Sequence, residues 1–267
     1  MKIFDGNFHA SLLDKHLDIV VQSMKFVPGL AIVQIGNNSA SSKYVQIKQR
    51  YGNEHNIPVE VYCYEDSKPY WFLHDELSRI CARSDIGGVI VQLPLPGNSH
   101  YKLLDLIPRD KDVDLLASES RNAYLSGDIT LLSPVVRAFK YFYDHAAEQS
   151  SIISIGVVGD GGLVGAPIFT YLIHKKLTVD LITDYTPGEA LDYDLLILGT
   201  GNALLVDPQD IKDDCHVVDF GTYFVDGKII GDLNTYVNYD HLGIVSKTPG
   251  GMGPLVVRYL FYNLTKL

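Results

Sequence analysis

The strongest constraint on this 267-residue chain is an alternation of two sequence patterns. Short, uninterrupted apolar runs, such as Leu30–Ile35 without its glutamine and Val89–Val91, recur between longer stretches whose apolar residues fall at helical spacing. An apolar run of that length marks a strand buried on both faces, and such strands alternating with amphipathic helices build parallel sheets through right-handed crossovers. The first half predicts a helix over 9–26, a strand over 30–36, a helix over 41–56 with Ser41 as N-cap, and a β-rich run over 59–65. A helix over 69–84 and a strand within 87–97, ending in prolines, complete it. A second series begins after Ser133-Pro134: a helix over 134–149, a strand, glycine-rich turn and helix over 153–176, and strands within 177–184, 193–201 and 215–221. The expected fold class is α/β with two lobes, an N-terminal βαβ domain and a Rossmann-like dinucleotide-binding domain, with a ligand cleft between them.

Composition removes several functions. The net charge is −10 and the pI about 5.3, which opposes non-specific binding to nucleic acid or an anionic membrane. It leaves room for a small anionic substrate held by a local lysine. Cys63, Cys81 and Cys215 form no CxxC pair, and the nine histidines lack ligand spacing, so neither a disulfide framework nor a metal site is expected. No apolar run approaches the ~20 residues of a membrane span. The N-terminus lacks an apolar signal core, and the expectation is a soluble, cytoplasmic protein.

Four segments carry chemistry. Tyr44 and Lys48 lie four apart and share one face of the predicted helix, which follows the 30–36 strand. That spacing alone also suits a solvated lysine beside a half-buried tyrosine. Gln92 closes an apolar strand, where an unpaired amide would cost ~1–3 kcal/mol, so it ties down the next loop or partners a catalytic group. Pro94 and Pro96 flank Leu95 and stiffen that loop. Asp110, Asp112 and Asp114 cluster around Lys111, and Asp114 abuts Leu115-Leu116, which turns it inward. Gly250, Gly251 and Gly253, between Pro249 and Pro254, build either a structural turn or a loop that lets backbone approach a ligand.

Together these segments resemble the methylenetetrahydrofolate dehydrogenase/methenyltetrahydrofolate cyclohydrolase family, nearly end to end. PGLAIVQIGNNSASSKYVQIK resembles its first signature, VQLPLP its second, PRDKDVD its third, and TPGGMGP the loop near the end. GDL at 231–233 matches a further short element. The resemblance implies a tetrahydrofolate substrate, a nicotinamide dinucleotide (NAD or NADP) and a homodimer. It implies oxidation of 5,10-methylenetetrahydrofolate to the 5,10-methenyl form and hydrolysis of that to 10-formyltetrahydrofolate. Carried over, Lys48 is the catalytic lysine, Gln92 its hydrogen-bonding partner, Tyr44 a stacking platform and Asp114 the anchor of the pterin's amino edge. Pro94, Leu95 and Pro96 line the folate, and Gly250, Gly251, Gly253 and Pro254 close over it. The folate-binding catalytic domain is expected at 1–132, completed by the C-terminal segment 250–267, and the Rossmann-like domain at 133–249.

The dinucleotide side departs from the family. Its phosphate loop, Gly-Arg-Ser-x-x-Val-Gly-x-Pro, here begins Gly159, Asp160, Gly161 and continues to Val164, Gly165 and Pro167. The family's Cys-His-Ser-x-Thr becomes Ile182-Thr183-Asp184-Tyr185-Thr186, so Asp184 stands at the end of the second strand, 25 residues after Gly159. An acid there accepts hydrogen bonds from ribose hydroxyls and repels a 2′-phosphate, and the loop arginine that would hold such a phosphate is gone. The family's glycine after the pterin aspartate is Leu115. Expected cofactor-binding residues are Gly159, Asp160, Gly161, Val164, Gly165, Asp184, Gly199, Gly201 and Thr222, with NAD favoured over NADP. Two other functions remain open: a cyclohydrolase with a degenerate nucleotide lobe, and a non-catalytic folate-binding protein.

Overall fold

A computed structural model describes residues 2–225 and 228–266. In chain order its elements are β1 (Lys2–Ile3), α1 (Gly6–Ser23), β2 (Gly29–Ile35), α2 (Ser39–Glu54), β3 (Val59–Tyr64), α3 (Tyr70–Cys81) and β4 (Ile86–Val91). Then come α4 (Ser118–Leu125), α5 (Pro134–Ala147), β5 (Ile155–Val158), α6 (Gly165–His174), β6 (Val179–Ile182), β7 (Leu195–Leu198) and β8 (His216–Asp219). A short hairpin, β9 (Tyr223–Val225) and β10 (Lys228–Ile230), precedes β11 (Ile244–Ser246) and α7 (Met252–Thr265). No helix among the described residues is long and apolar enough to cross a membrane.

The chain divides into two compact units: Leu13–Ser133 with Leu260–Leu267, and Met1–Leu12 with Pro134–Tyr259. The first unit carries a three-stranded parallel sheet in the order β3-β2-β4. All seven residues of β2 are buried, as its apolar run requires of a central strand. Leu73, Leu77, Ile80 and Cys81 of α3 and Leu103, Leu104 and Ile107 of the following 3₁₀ segment cover one face of that sheet. Val89 of β4 also forms a parallel bridge to Asp112, which brings the acidic segment beside the strand that Gln92 follows.

The second unit carries a six-stranded parallel sheet in the order β1-β11-β8-β7-β5-β6. The chain runs from β5 through α6 to β6 on one side, then returns to β7 on the other. The switch point of this sheet therefore lies at the carboxyl ends of β5 and β7, where such folds open to ligands.

The unit boundaries differ from the expected ones in two places. Residues 1–12 and 250–259 group with 134–249, because β1 extends the six-stranded sheet by pairing with β11 and Gly6 N–H donates to Gly250 O at 2.8 Å. A two-residue strand paired across some 240 residues leaves no local pattern to read. The N-cap of α2 is Asn38, whose side chain accepts from Ser41 N–H at 3.0 Å. Ser41 is the third residue of the helix, buried, and its hydroxyl donates to Leu93 O at 3.1 Å. Asn38 offers the stronger cap because its side-chain oxygen reaches an orphan amide of the first turn.

Candidate active site

In the first unit, α2 leaves the carboxyl end of β2 and places Lys48 at its third turn. Lys48 Nζ donates to Gln92 Oε1 at 3.0 Å. The other end of that amide is fixed independently: Gln92 Nε2 donates to Leu93 O at 2.9 Å. A backbone carbonyl can only accept, so the amide nitrogen faces Leu93 and the oxygen faces the lysine. Ser41 donates to the same carbonyl, and Gln92 N–H donates to Val33 O at 2.8 Å. The lysine's partner is thus held at its backbone and at both ends of its side chain.

The two carboxylates that follow Lys111 differ in burial and in partners. Asp112 is buried and accepts from the Leu116 and Ala117 amides at 3.1 and 2.9 Å, pinning the turn. Lys111 Nζ donates to the Cys81 and Arg83 carbonyls at 2.7 and 2.6 Å and so caps the end of α3. Asp114 and Lys48 lie close enough for each charge to act on the other. Leu115 adopts φ +56°, the left-handed backbone that glycine takes freely, so the turn keeps its shape with a leucine there. The Leu115 side chain is buried, and that burial offsets a backbone cost of ~1–2 kcal/mol.

Burial lowers the Lys48 pKa, and the Asp114 charge opposes the shift. Burial raises the Asp114 pKa; Lys48 opposes this and Asp112 adds to it. Desolvation is the largest influence on both, so both move toward their neutral forms. A lysine that gives up its proton below its ordinary range can serve as a base, and Gln92 Oε1 holds it in place in either state.

The other expected folate-side residues are placed as follows. Tyr44 is half-buried on α2, one turn before Lys48. Pro94, after a cis peptide bond, and Pro96 are exposed, whereas the Leu95 side chain belongs to the hydrophobic core and offers a ligand only its backbone. Gly250, Gly251, Gly253 and Pro254 lie in the second unit. Gly250 takes φ +90° in a turn, while Gly253 and Pro254 belong to the first turn of α7 rather than to a loop.

The glycine turn between β5 and α6 meets the steric demands of a pyrophosphate loop. Gly159 has φ +95°, and a methyl group there would lie 2.4 Å from Gly199 O. At Gly165 it would lie 1.8 Å from Gly159 O, so close helix–strand packing excludes any side chain. Gly161 is exposed, and a methyl group there would meet only Gly199 O, at an ordinary 3.8 Å, which leaves its backbone approachable. Val164 precedes α6 and is half-buried; Gly199 and Gly201 follow β7, and Thr222 is exposed beyond β8. Asp160 and Asp184 are both exposed, Asp184 just past the end of β6. The turn's glycines fit the close backbone approach that a dinucleotide's pyrophosphate needs.

Ser41, which shares the Leu93 carbonyl with Gln92, and Asp112, which pins the acidic turn, carried no sequence signal that marked those roles.

Comparison with known proteins agrees with this arrangement. The sequence profile of the tetrahydrofolate dehydrogenase/cyclohydrolase catalytic domain matches residues 4–114, and that of the family's NAD(P)-binding domain matches residues 139–267. The chain is 28% identical to the bifunctional protein FolD of Lactobacillus acidophilus, over 100% of this chain and 96% of that protein. It is 29% identical to FolD of Nitrosomonas eutropha, over 98% and 91%. The bifunctional FolD methylenetetrahydrofolate dehydrogenase/cyclohydrolase of Campylobacter jejuni superimposes with a TM-score of 0.88 at 25% identity, covering 100% of this chain and 98% of that one. The corresponding structure from Thermoplasma acidophilum gives 0.88 at 24%, covering 99% and 97%, and shows the shared fold. With a folate-type lysine–glutamine–aspartate site in one unit and a dinucleotide-type sheet in the other, this chain belongs to the tetrahydrofolate dehydrogenase/cyclohydrolase family.

Proposed function

We propose that the chain oxidises 5,10-methylenetetrahydrofolate and hydrolyses the resulting methenyl cation to 10-formyltetrahydrofolate, with Lys48 as the proton carrier of the second step. The observation that carries this reading is the 3.0 Å bond from Lys48 to an amide oriented by backbone, with the half-buried Asp114 carboxylate near enough to act on the lysine's charge. Asp114 accepts the amino-pyrimidinone edge of the pterin, and Tyr44 stacks on the aromatic portion. A nicotinamide dinucleotide held at the Gly159–Gly165 turn and Asp184 would supply the acceptor for the hydride of the one-carbon bridge. That step asks orientation of the protein rather than a proton.

Hydrolysis needs a base. Water adds to the methenyl carbon, and neutral Lys48 takes one of its protons. The adduct then collapses: the bond from carbon to N5 breaks, N5 receives a proton from the Lys48 ammonium, and the second water proton leaves to solvent. The formyl group remains on N10. The cationic substrate itself favours the neutral amine, because a positive charge nearby disfavours the ammonium. Substrate binding and a lowered Lys48 pKa therefore act in the same direction.

The cofactor in this reading is NAD in preference to NADP. Asp184 suits free ribose hydroxyls, and no arginine stands at position 160 to pair with a 2′-phosphate. Asp160 adds like charge near the phosphates and makes the affinity modest. The test follows two reactions of the intact protein. Methenyltetrahydrofolate should lose its near-ultraviolet absorbance faster than the spontaneous background. Methylenetetrahydrofolate should reduce NAD with a higher kcat/KM than NADP. Hydrolysis without reduction of either nucleotide would leave a cyclohydrolase alone, and neither reaction would leave a folate-binding protein.

A further inference from the structure

Two carboxyl groups at the carboxyl edge of the six-stranded sheet have no part in the reactions above. Asp219 ends β8 and is 1% exposed; Asp232 follows β10 and is 0% exposed. Neither has a salt bridge among the described residues. Asp219 Oδ1 accepts from the Gly221 and Asp232 amides at 2.8 and 3.2 Å, and its Oδ2 from Leu233 N–H at 3.1 Å. Asp232 Oδ2 accepts from Thr200 N–H at 2.6 Å, and the Thr200 and Tyr223 hydroxyls also bond this carboxyl. Asp232 Oδ1 is buried without a donor.

The two groups meet at Gly221. Its amide holds Asp219, and a methyl group on it would lie 2.2 Å from Asp232 Oδ1. On its other side, Thr200 is the wall of the glycine turn: a methyl group on Gly159 would lie 2.9 Å from Thr200 Cα. A chain of contacts therefore runs from Asp219 through Asp232 and Thr200 to the phosphate loop. In a doubly wound sheet with the adenosine ribose at the end of β6 and the pyrophosphate after β5, the other half of a dinucleotide crosses to the β7 side. The Gly199–Asn202 segment lies there.

We propose that Asp232, locked by Asp219, is the positioning residue for the Gly199–Asn202 loop of the dinucleotide site, and that ionisation of both acids loosens this lock. The inference rests on the dinucleotide reading of the second unit. Two buried carboxylates served by amides and hydroxyls repel each other when both are charged. The groups that act on the pair are each other, the backbone amides, Thr200 and the Tyr223 hydroxyl. Burial first and the Asp232 charge second push Asp219 up to about 7, so Asp219 gives up its proton within the neutral range.

The test measures NADH affinity by calorimetry across the neutral range, together with hydrogen exchange at the Thr200 amide. Wild-type affinity and Thr200 protection should both fall as pH rises through about 7. D232A should weaken NADH binding about tenfold at every pH and remove Thr200 protection. D232N keeps an acceptor for Thr200 and removes the second charge; it should bind as the wild type does at low pH and lose the pH dependence. A structural role alone would not produce that rescue. Wild-type affinity that is flat through neutrality, or D232A binding NADH as the wild type does, overturns the proposal. If the wild type binds no dinucleotide, the nucleotide reading falls and positioning falls with it. Thr200 exchange then reports whether the lock itself exists.

Discussion

Replacing Asp219 by asparagine tests the buried carboxyl pair through folding stability. The unfolded chain gives up this proton near the ordinary value of 3.8, while the folded protein keeps it until about 7. Between those values the folded state binds more protons than the unfolded one, so stability falls as pH rises and levels off above about 7. A difference of about three pH units corresponds to roughly 4 kcal/mol lost across that window. The figure describes Asp219; burial raises Asp232 as well and adds in the same direction. In D219N the amide cannot ionise. It also turns an NH₂ group toward the Leu233 amide that Asp219 Oδ2 now accepts, at a cost of ~1–3 kcal/mol. The variant should therefore be less stable than the wild type in mild acid, and the gap should close or reverse above neutrality. Urea unfolding of both proteins over a pH series measures this, because contributions from unrelated groups cancel in the difference. A wild-type-minus-variant difference that stays constant from mild acid to above neutrality would refute the linkage.

Three further outcomes follow from the site geometry. Q92M removes the acceptor of the Lys48 bond and the tie to Leu93 O; losing a charge-assisted bond of ~1.5–3 kcal/mol should lower the cyclohydrolase kcat about 10- to 150-fold. The acid limb of its pH–rate profile should also move to lower pH, since the ammonium loses its acceptor, and an unmoved limb with unchanged kcat counts against the pairing. D114A should weaken folate binding by about tenfold or more for each hydrogen bond lost, measured by calorimetry, and unchanged affinity would remove Asp114 from the site. The double change D160R/D184S should shift the NAD to NADP ratio of kcat/KM towards NADP, and a wild type that already prefers NADP would refute the electrostatic reading.

The parts of this site that were legible in the sequence are those carried by local periodicity. Lys48 follows Tyr44 at one helical turn on a helix that must leave a buried strand, and Gln92 is the first polar residue after such a strand. The neighbouring Leu115-Leu116 marked Asp114 as inward-facing, but nothing local told that Asp112, two residues earlier, is buried and pins the turn. The left-handed backbone at Leu115 was invisible, because burial of the leucine offsets a conformation that sequence alone assigns to glycine. The Asp219–Asp232 cluster lies across a hairpin, and the β1–β11 pairing across most of the chain. Neither has a sequence period. Leu95 shows the converse: its place between two prolines in a binding signature conceals a core side chain.

The central claim is that Lys48 moves the proton in hydrolysis. It is tested most directly by K48M, measured for both folate binding and turnover. Methionine keeps the length and apolar stem of lysine and removes only the basic nitrogen. The account predicts that K48M binds the folate, with Asp114 still in place, and hydrolyses methenyltetrahydrofolate no faster than the spontaneous background. Hydrolysis by K48M at the wild-type rate would contradict it.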